Sequence, residues 1–339
     1  MAPDHKQMGA YYTKADIAEY ICKNTIIPCI FDIVQQAHPT AFTPAGPVWS
    51  HLIHAPDCYI SPAIREQHHL PGESEREYQF RRSLYNDIHR KLAAGTITSL
   101  HDFLTYNLDS HRFAQDVLSR CTHSSLLRAF YQTISRLTIL DPTCGPGAFL
   151  LAALSLLEPL YAACLTRMEQ MLTFNVCPVS AQASIQPADL TLFKDVLNHA
   201  GKYTDRNYFI VKFIIANNLY GVDLMPEAVE RCQQQLLRRL VAHQHSIAGI
   251  ESLPAGEHNI RSGNALVGFT RTPVTAPAAL YKQQTHFVAA LNHVLAREYG
   301  IDRQHSGDEA DYELAFQRWL ADHKPFHWCS EFPRIMERG

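Results

Sequence analysis

The sequence feature that most constrains the fold is a short apolar run that ends in a glycine turn. Leu137-Thr-Ile-Leu140 leads into Asp141-Pro-Thr-Cys-Gly-Pro-Gly147, and the apolar run Ala148-Phe-Leu-Leu-Ala-Ala-Leu154 follows. This change of pattern predicts a strand, a glycine turn and a helix. The backbone can approach a ligand closely at such a turn, and the helix N-terminus offers N–H groups to a nucleoside or its charged tail. The alternative is a plain strand-to-helix connection, because short glycine patterns are common.

Two further runs extend the strand-and-helix pattern. Asn218-Leu-Tyr-Gly-Val-Asp223 precedes a helical pattern from Pro226 to His243, and His258-Asn-Ile-Arg261 leads into Ser262-Gly-Asn-Ala-Leu266. Strands that alternate with helices predict an α/β fold with a parallel sheet. An acidic residue at the end of the second strand, Asp223, can bind both hydroxyls of a ribose. It can instead cap the helix that begins at Pro226.

The rest of the chain divides into segments of different character. Pro28 is expected to interrupt the first helical pattern, and the many prolines between residues 38 and 72 predict an irregular excursion. The predicted segments are a loop and helix at 1–37, an irregular and then helical part at 38–136, the sheet-containing core at 137–269 with an insertion at about 165–217, and a helical tail at 270–339.

Composition excludes several classes of protein. With 339 residues, 46% of them apolar and 19% charged, the chain is long enough to bury a substantial core. The apolar stretch from Ala148 to Leu157 is shorter than the ~20 residues of a membrane span, and the N-terminus lacks signal-peptide features, so a cytoplasmic protein without a membrane helix is expected. Nineteen histidines without a His-Glu-x-x-His motif predict no metal site. A net charge of −3 predicts little attraction to DNA.

The spacing argues against a dinucleotide-binding oxidoreductase. The acidic residue of that fingerprint follows the turn by about 20 residues, whereas 82 residues separate Asp141 from Asp223 here. The third glycine of the fingerprint is also missing after Gly147. An oxidoreductase therefore stays a disfavoured alternative.

Four stretches, in the same order, resemble the S-adenosylmethionine-dependent DNA adenine-N6 methyltransferases, specifically the large Eco57I-like type of restriction-modification systems. The stretches are Gly9-Ala-Tyr-Tyr-Thr13, Asp141 to Phe149, Tyr220-Gly-Val-Asp-Leu-Met-Pro226 and Asn259-Ile-Arg-Ser-Gly-Asn-Ala-Leu266. The resemblance implies a Rossmann-like methyltransferase sheet with helical insertions, here incomplete at its C-terminus. It also implies S-adenosylmethionine as the cofactor and double-stranded DNA as the partner.

The resemblance also implies which residues surround the cofactor. Tyr12 and Thr13 would contact it from the N-terminal loop, Asp223 would hold the ribose, Met225 would pack on the adenine ring, and Asn264 would face the adenine amino group. The methionine part would be surrounded by four positions of the glycine-turn motif: Asp141, Cys144, Gly145 and Gly147. Two further positions of that motif, Pro142 and Phe149, would also belong to the cofactor site.

Some of these residues also have simpler interpretations. Thr13 with Asp16 matches a helix capping box, Met225 can fill core, and Asn264 can cap a turn.

One part of the family pattern is missing. The family's catalytic signature is Asn-Pro-Pro-Tyr, whereas this sequence contains no Pro-Pro dipeptide. Methyl transfer needs the flipped adenine held so that its amino nitrogen faces the methyl group. The expectation is therefore the cofactor-binding part of a truncated or split methyltransferase, with no catalytic residues of its own. In the split version, a second polypeptide carries the motif. The alternative is a catalytically inactive binding or partner module.

Overall fold

The part of the chain that the structure describes is mostly helical and contains one small sheet. The computed structural model describes residues 12–176, 186–203, 205–243, 259–273, 284–303 and 308–336. Its α-helices, numbered in chain order, are α1 (Ala15–Ala37), α2 (Ser50–His54), α3 (Pro62–Arg65), α4 (Glu75–Ala93), α5 (Leu100–Thr105), α6 (Ser110–Ser119), α7 (Ser124–Arg136), α8 (Ala148–Val176), α9 (Pro187–Ala200), α10 (Arg206–Asn217), α11 (Pro226–Val241), α12 (Gln284–Glu298), α13 (Glu309–His323), α14 (Trp328–Glu331) and α15 (Pro333–Met336). Two 3₁₀ turns lie at Pro39–Phe42 and Pro56–Tyr59.

Three parallel strands form the sheet: β1 (Ile139–Asp141), β2 (Leu219–Asp223) and β3 (Ile260–Ser262). β2 lies in the middle, with Leu140 beside Tyr220 and Val222 beside Arg261. The predicted parallel sheet between helices is confirmed, and each strand begins one or two residues later than predicted. Because the strands are parallel, their carboxyl ends meet at one edge of the sheet, where ligands bind in open α/β folds.

The central helix of the fold is α8, which is 29 residues long and apolar on nearly every side. It packs against α1, α6 and α10 and against β1 and β2. The sequence predicted that the apolar run ends at Glu158 and Pro159. The helix instead continues through Pro159. A proline inside a helix costs about 3 kcal/mol. The fully buried Leu157 and Leu160 on either side contribute roughly 1.5 to 3 kcal/mol each, which offsets that cost.

The same helix bears on the prediction that no helix spans a membrane. Residues Ala148–Thr173 are long and apolar enough for a span by length and composition, but 56% of the most apolar window is buried inside the protein. A helix that is apolar all round is expected at the centre of a large helical core. We therefore describe α8 as a core helix.

The N-terminal helix α1 runs without a break through Pro28, so the predicted interruption there is wrong. Its inner side is buried at Ile26, Ile27 and Ile30, and it packs on α8 and α7. This burial holds the helix together across the missing hydrogen bond of the proline. The Cys22 thiol lies 3.5 Å from the carbonyl oxygen of Phe149, so α1 reaches the first turn of α8.

The proline-rich excursion forms short helical turns joined by loops, and one arginine holds it to α4. The Arg81 side chain is buried and donates to both carboxylate oxygens of Glu73, at 2.7 and 2.8 Å. It also donates to the carbonyl oxygens of Ala63 and His68, at 3.2 and 2.8 Å. These bonds satisfy loop carbonyls and place the excursion against α4.

A buried amide connects α7 and α8 to the sheet. Asn218, directly before β2, donates to the carbonyl oxygens of Ile134 and Leu137 at 2.8 and 2.7 Å and accepts from the Tyr161 hydroxyl at 2.9 Å. Its side chain thus adds a donor to two carbonyls at and just after the end of α7. This network sets where β1 enters the sheet.

The two faces of the sheet are covered differently. Helices α8 and α11 cover one face. On the other face, Tyr220 and Val222 of β2 pack against Phe326, Trp328 and Phe332 of the C-terminal aromatic tract. One connected apolar core extends from Ala18 to Ile260, and smaller clusters follow it in the tail. The segment boundaries at 37, 136 and 269 stay predictions.

Candidate functional site

The glycine turn is joined to the neighbouring strand by two backbone amides. The Cys144 N–H donates to the Val222 carbonyl oxygen at 2.8 Å, and the Gly145 N–H donates to Oδ2 of Asp223 at 2.8 Å. The turn after β1 and the acidic residue that ends β2 are therefore in direct contact. These are the two features that the sequence placed on successive strand ends.

Two other backbone N–H groups of the turn donate to acceptors within the turn itself. The Thr143 N–H donates to Oδ1 of Asp141 at 3.1 Å, and the Gly147 N–H donates to the Cys144 carbonyl oxygen at 2.8 Å. Within the described residues, the amides at positions 148–150 have no acceptor. Leu150 is fully buried, so the partly exposed N–H groups of the predicted helix N-terminus are those of residues 148 and 149.

Both glycines of the turn are required by their surroundings. Gly145 has φ +52° and Gly147 has φ +94°, conformations that other residues adopt at a cost. A Cβ atom on Gly145 would lie 3.0 Å from the Tyr12 ring, and one on Gly147 would lie 2.5 Å from the Cys232 sulfur. The turn is thus packed between the N-terminal segment and α11. This packing accounts for both glycines, and it fits a plain strand-to-helix connection as well as a ligand-binding turn.

The Asp223 carboxylate bridges two loops. Its Oδ1 accepts from the Met225 N–H at 2.9 Å, while its Oδ2 accepts from Gly145. The N-cap of α11 is Met225, so the interpretation of Asp223 as the cap of that helix is wrong. The short aspartate side chain instead closes a turn two residues long. Each carboxylate oxygen has a second lone pair, so further donors such as ribose hydroxyls can share it.

A second carboxylate lies close by, at the end of β1. Burial raises the pKa of Asp141 above its ordinary value, and the negative charge of Asp223 raises it further. Burial also raises the pKa of the Cys22 thiol to about 11, with an added contribution from Asp141. The edge of the sheet therefore concentrates negative charge in a partly buried place, which favours a cationic ligand.

The turn also carries a buried thiol. Its hydrogen bond with Cys232 and its burial raise the pKa of the Cys144 thiol well above its ordinary value. A protonated, buried thiol is a poor nucleophile. Cys144 therefore contributes packing and a contact with α11 to this site.

The remaining predicted residues lie around the same edge. Tyr12 is 42% exposed beside Gly145, Thr13 is half-buried, and Pro142 is exposed. The helix begins at Ala15 with Lys14 as its N-cap and no side-chain cap bond, so the capping-box interpretation of Thr13 is wrong. Residues 9–11 of the N-terminal motif lie outside the described residues.

The structure excludes the simpler interpretation of Met225 and confirms that of Asn264. Met225 is half-buried and belongs to none of the described apolar clusters, so it does not fill core. Asn264 does cap a turn, because its Oδ1 accepts from the Leu266 N–H at 3.1 Å. The Gly263 N–H donates to the Asp223 carbonyl oxygen at 2.9 Å, which places the Asn264 loop next to the end of β2.

Sequence reasoning missed the residues of α11 that brace this edge. Gln235 donates to the Pro146 carbonyl oxygen at 2.7 Å, and Gln233 donates to the Ile260 carbonyl oxygen at 3.0 Å. Cys232 lies between them and the turn. A run of three glutamines on an amphipathic helix gives no sign of which side chain faces inward, so only the position of α11 in the fold identifies them.

Taken together, this edge of the sheet has groups that favour positively charged parts of a ligand and groups that favour negatively charged parts. The carboxylates of Asp141 and Asp223 suit ammonium, sulfonium or hydroxyl groups, and the partly exposed amides of residues 148 and 149 suit a carboxylate. A ligand with an amino-acid tail and a ribose matches this set. Among the described residues, no cluster of three or more histidine, cysteine or acidic side chains has the arrangement of a metal site.

Comparison with known proteins gives one distant relative. The chain is 26% identical over 267 residues to an archaeal protein, from Methanocaldococcus jannaschii, that is named as a type II restriction enzyme and methyltransferase. The chain is thus similar to a restriction-modification methyltransferase. The match covers 78% of this chain but only 15% of that relative. No protein-family model matches the chain, and no solved structure matches it.

Proposed function

We propose that this chain is the S-adenosylmethionine-binding part of a DNA adenine-N6 methyltransferase in a cytoplasmic restriction-modification or phage-defence system. The observation that carries the proposal is the 2.8 Å hydrogen bond between Gly145 and Asp223. It joins the glycine turn and the acidic residue of the sequence resemblance at the ligand-binding edge of a parallel sheet. Similarity to the archaeal relative supports the restriction-modification assignment.

The side chains at this edge fit the chemistry of the cofactor. Asp223 would hold the ribose, Asp141 would favour the cationic groups, and the amides of residues 148 and 149 would receive the methionine carboxylate. Tyr12 would lie over the turn. When bound, S-adenosylmethionine supplies a methyl group on a sulfonium, and the chain's own task is to hold that group in one orientation.

The residues that hold the adenine are proposed to lie outside this sequence. It contains no Asn-Pro-Pro-Tyr, and its net charge of −3 gives little attraction to DNA phosphates. A second polypeptide, or another part of a longer one, would grip the flipped base and supply most contacts to double-stranded DNA. The chain spans 15% of its archaeal relative, so activity of the whole protein belongs to this proposal.

Transfer of a labelled methyl group tests the proposal. The chain is incubated with methyl-labelled S-adenosylmethionine and adenine-rich duplexes, alone and with a polypeptide that carries Asn-Pro-Pro-Tyr. Alone it should transfer no detectable label, because correct alignment of the reactants contributes as much as ~7 to 11 kcal/mol. With the second polypeptide, label should appear in N6-methyladenine. Label in another base would contradict the adenine assignment, and cofactor binding without label in either mixture would favour the inactive binding module.

A further inference from the structure

One peptide group in the glycine turn is held from two sides. The carbonyl oxygen of Pro146 accepts from the Gln235 side chain at 2.7 Å. The N–H of the same planar peptide group belongs to Gly147, points the opposite way, and donates to the Cys144 carbonyl oxygen at 2.8 Å. The turn itself therefore restrains one end of the group, and α11 restrains the other.

This restraint matters because the torsions on both sides of the peptide group are free to change. The ring of Pro146 fixes φ but leaves ψ free, and Gly147, with φ +94°, rotates between backbone conformations at little cost. Without a partner for its carbonyl, the peptide group between Pro146 and Gly147 could turn over more easily. Such a rotation would break the hydrogen bond from the Gly147 N–H to the Cys144 carbonyl oxygen and change the shape of the turn.

The helix that provides the restraint is itself fixed to the sheet. Gln233 donates to the Ile260 carbonyl oxygen at 3.0 Å, and the Cys232 sulfur fills the space beside Gly147. Gln234, between the two inward-facing glutamines, is exposed. An amide side chain carries no charge, so it fixes geometry without adding to the electrostatic field of the two carboxylates.

We propose that Gln235 is a positioning residue that fixes the Pro146–Gly147 peptide group and thereby keeps the glycine turn ready for the cofactor. The proposal rests on the proposed function in so far as S-adenosylmethionine is the ligand of the turn. Only the fraction of the protein that is in the binding conformation can take up the ligand. Loss of the restraint lowers that fraction and therefore weakens the apparent affinity. The Gln235 side chain donates to a backbone carbonyl of the turn, so its role is exerted through the backbone.

The test compares three variants of the full chain in two measurements. Gln235→Leu removes the donor, Gln235→Lys keeps one, and Gln234→Leu changes the exposed neighbour as a matched control. Hydrogen exchange of the Gly147 amide is measured without ligand, and the Kd of S-adenosylhomocysteine is measured by calorimetry. For Gln235→Leu we expect severalfold faster exchange and a Kd about three- to tenfold weaker, the size expected for one lost hydrogen bond. Gln235→Lys should keep the slow exchange of the Gly147 amide, and Gln234→Leu should leave both measurements unchanged.

The two measurements separate this proposal from the proposed function. Unchanged exchange of the Gly147 amide in Gln235→Leu would overturn the positioning role whether or not the ligand binds. Failure of Gln235→Lys to restore slow exchange would overturn the role of the donor. Faster exchange in Gln235→Leu, together with no binding of S-adenosylhomocysteine by any form of the chain, would support the positioning role and contradict the cofactor assignment.

Discussion

Gly147 shows how little room the glycine turn leaves for a side chain. Its φ of +94° would strain the backbone of any other residue. A Cβ atom at this position would also lie 2.5 Å from the Cys232 sulfur, which is a separate steric cost. Gly72 has a similar φ of +79°, but nothing lies within 4 Å of its built Cβ. Comparing the two positions separates backbone strain from steric overlap.

We expect Gly147→Ala to lower the free energy of unfolding by more than Gly72→Ala does. Strain at a positive φ costs on the order of 1 kcal/mol at either site. Overlap in a packed site adds about 1 to 3 kcal/mol at residue 147 only. Urea denaturation followed by circular dichroism measures both. Equal losses would mean that α11 does not pack against the turn as described.

Single residues also show what the sequence could predict about the site. Asp141, Gly145, Gly147 and Asp223 stand at the ends of recognisable strands, so their meeting at one edge follows from parallel topology. Gln235 could not be identified in this way. Its contact depends on the rotation of α11 about its axis, which the packing of the whole helix sets.

At the scale of elements, His327 connects three parts of the C-terminal region. It is 2% exposed, its Nδ1 accepts from the Phe269 N–H at 3.2 Å, and its Nε2 lies 3.0 Å from Oδ1 of Asn292. These partners fit a neutral ring that carries its proton on Nε2. Burial lowers the pKa of His327 from near 6.5 to about 4. The aromatic tract, α12 and the loop after β3 therefore share a titratable contact.

This contact should make the protein less stable in mild acid. Between pH 6.5 and 4 the unfolded chain binds a proton at His327 and the folded chain does not, so the contribution is complete above pH 6.5 and is lost as the pH falls. Between pH 7.5 and 4.5 the loss is about 2 to 3 kcal/mol. His327→Gln, measured by urea denaturation at both pH values, should lose that much less than the unchanged chain. Parallel losses in the two proteins would contradict the role of His327.

Elements also mark where sequence patterns fail. The strands could be located to within two residues because glycine and aspartate end each apolar run. The continuation of α1 through Pro28 and of α8 through Pro159 could not be predicted. A rule based on the local sequence includes only the hydrogen bond that a proline removes. The burial that compensates for this loss depends on residues far away in the sequence.

At the scale of the whole molecule, the sheet has an open edge at β1. Within the described residues, β1 pairs with β2 alone. The Ile139 N–H donates to the Asn218 carbonyl oxygen at 2.7 Å, so by the alternation of parallel strands the backbone groups of Leu140 face the other edge. The Leu140 side chain is 37% exposed. An exposed apolar edge of this kind attracts another strand.

We therefore expect the chain to self-associate as its concentration rises, unless a second polypeptide covers β1. Leu140→Lys places a charge on the edge strand and should shift the equilibrium toward monomer. Leu237→Lys is the matched control, because Leu237 is 38% exposed on α11, away from that edge. Sedimentation velocity over a range of concentrations measures both. A monomer at every concentration, or equal effects of the two substitutions, would contradict the prediction.

The most direct test of the cofactor assignment is a calorimetric titration of the chain with S-adenosylhomocysteine. Saturable binding is expected, and Asp223→Ala should weaken it by about 1.5 to 3 kcal/mol, roughly ten- to a hundredfold in Kd, because a charge-assisted hydrogen bond is lost. Asp195→Ala, at an exposed position of α9, serves as the control and should leave the Kd unchanged. No heat at millimolar ligand, or equal Kd values for Asp223→Ala and the unchanged chain, would contradict the account.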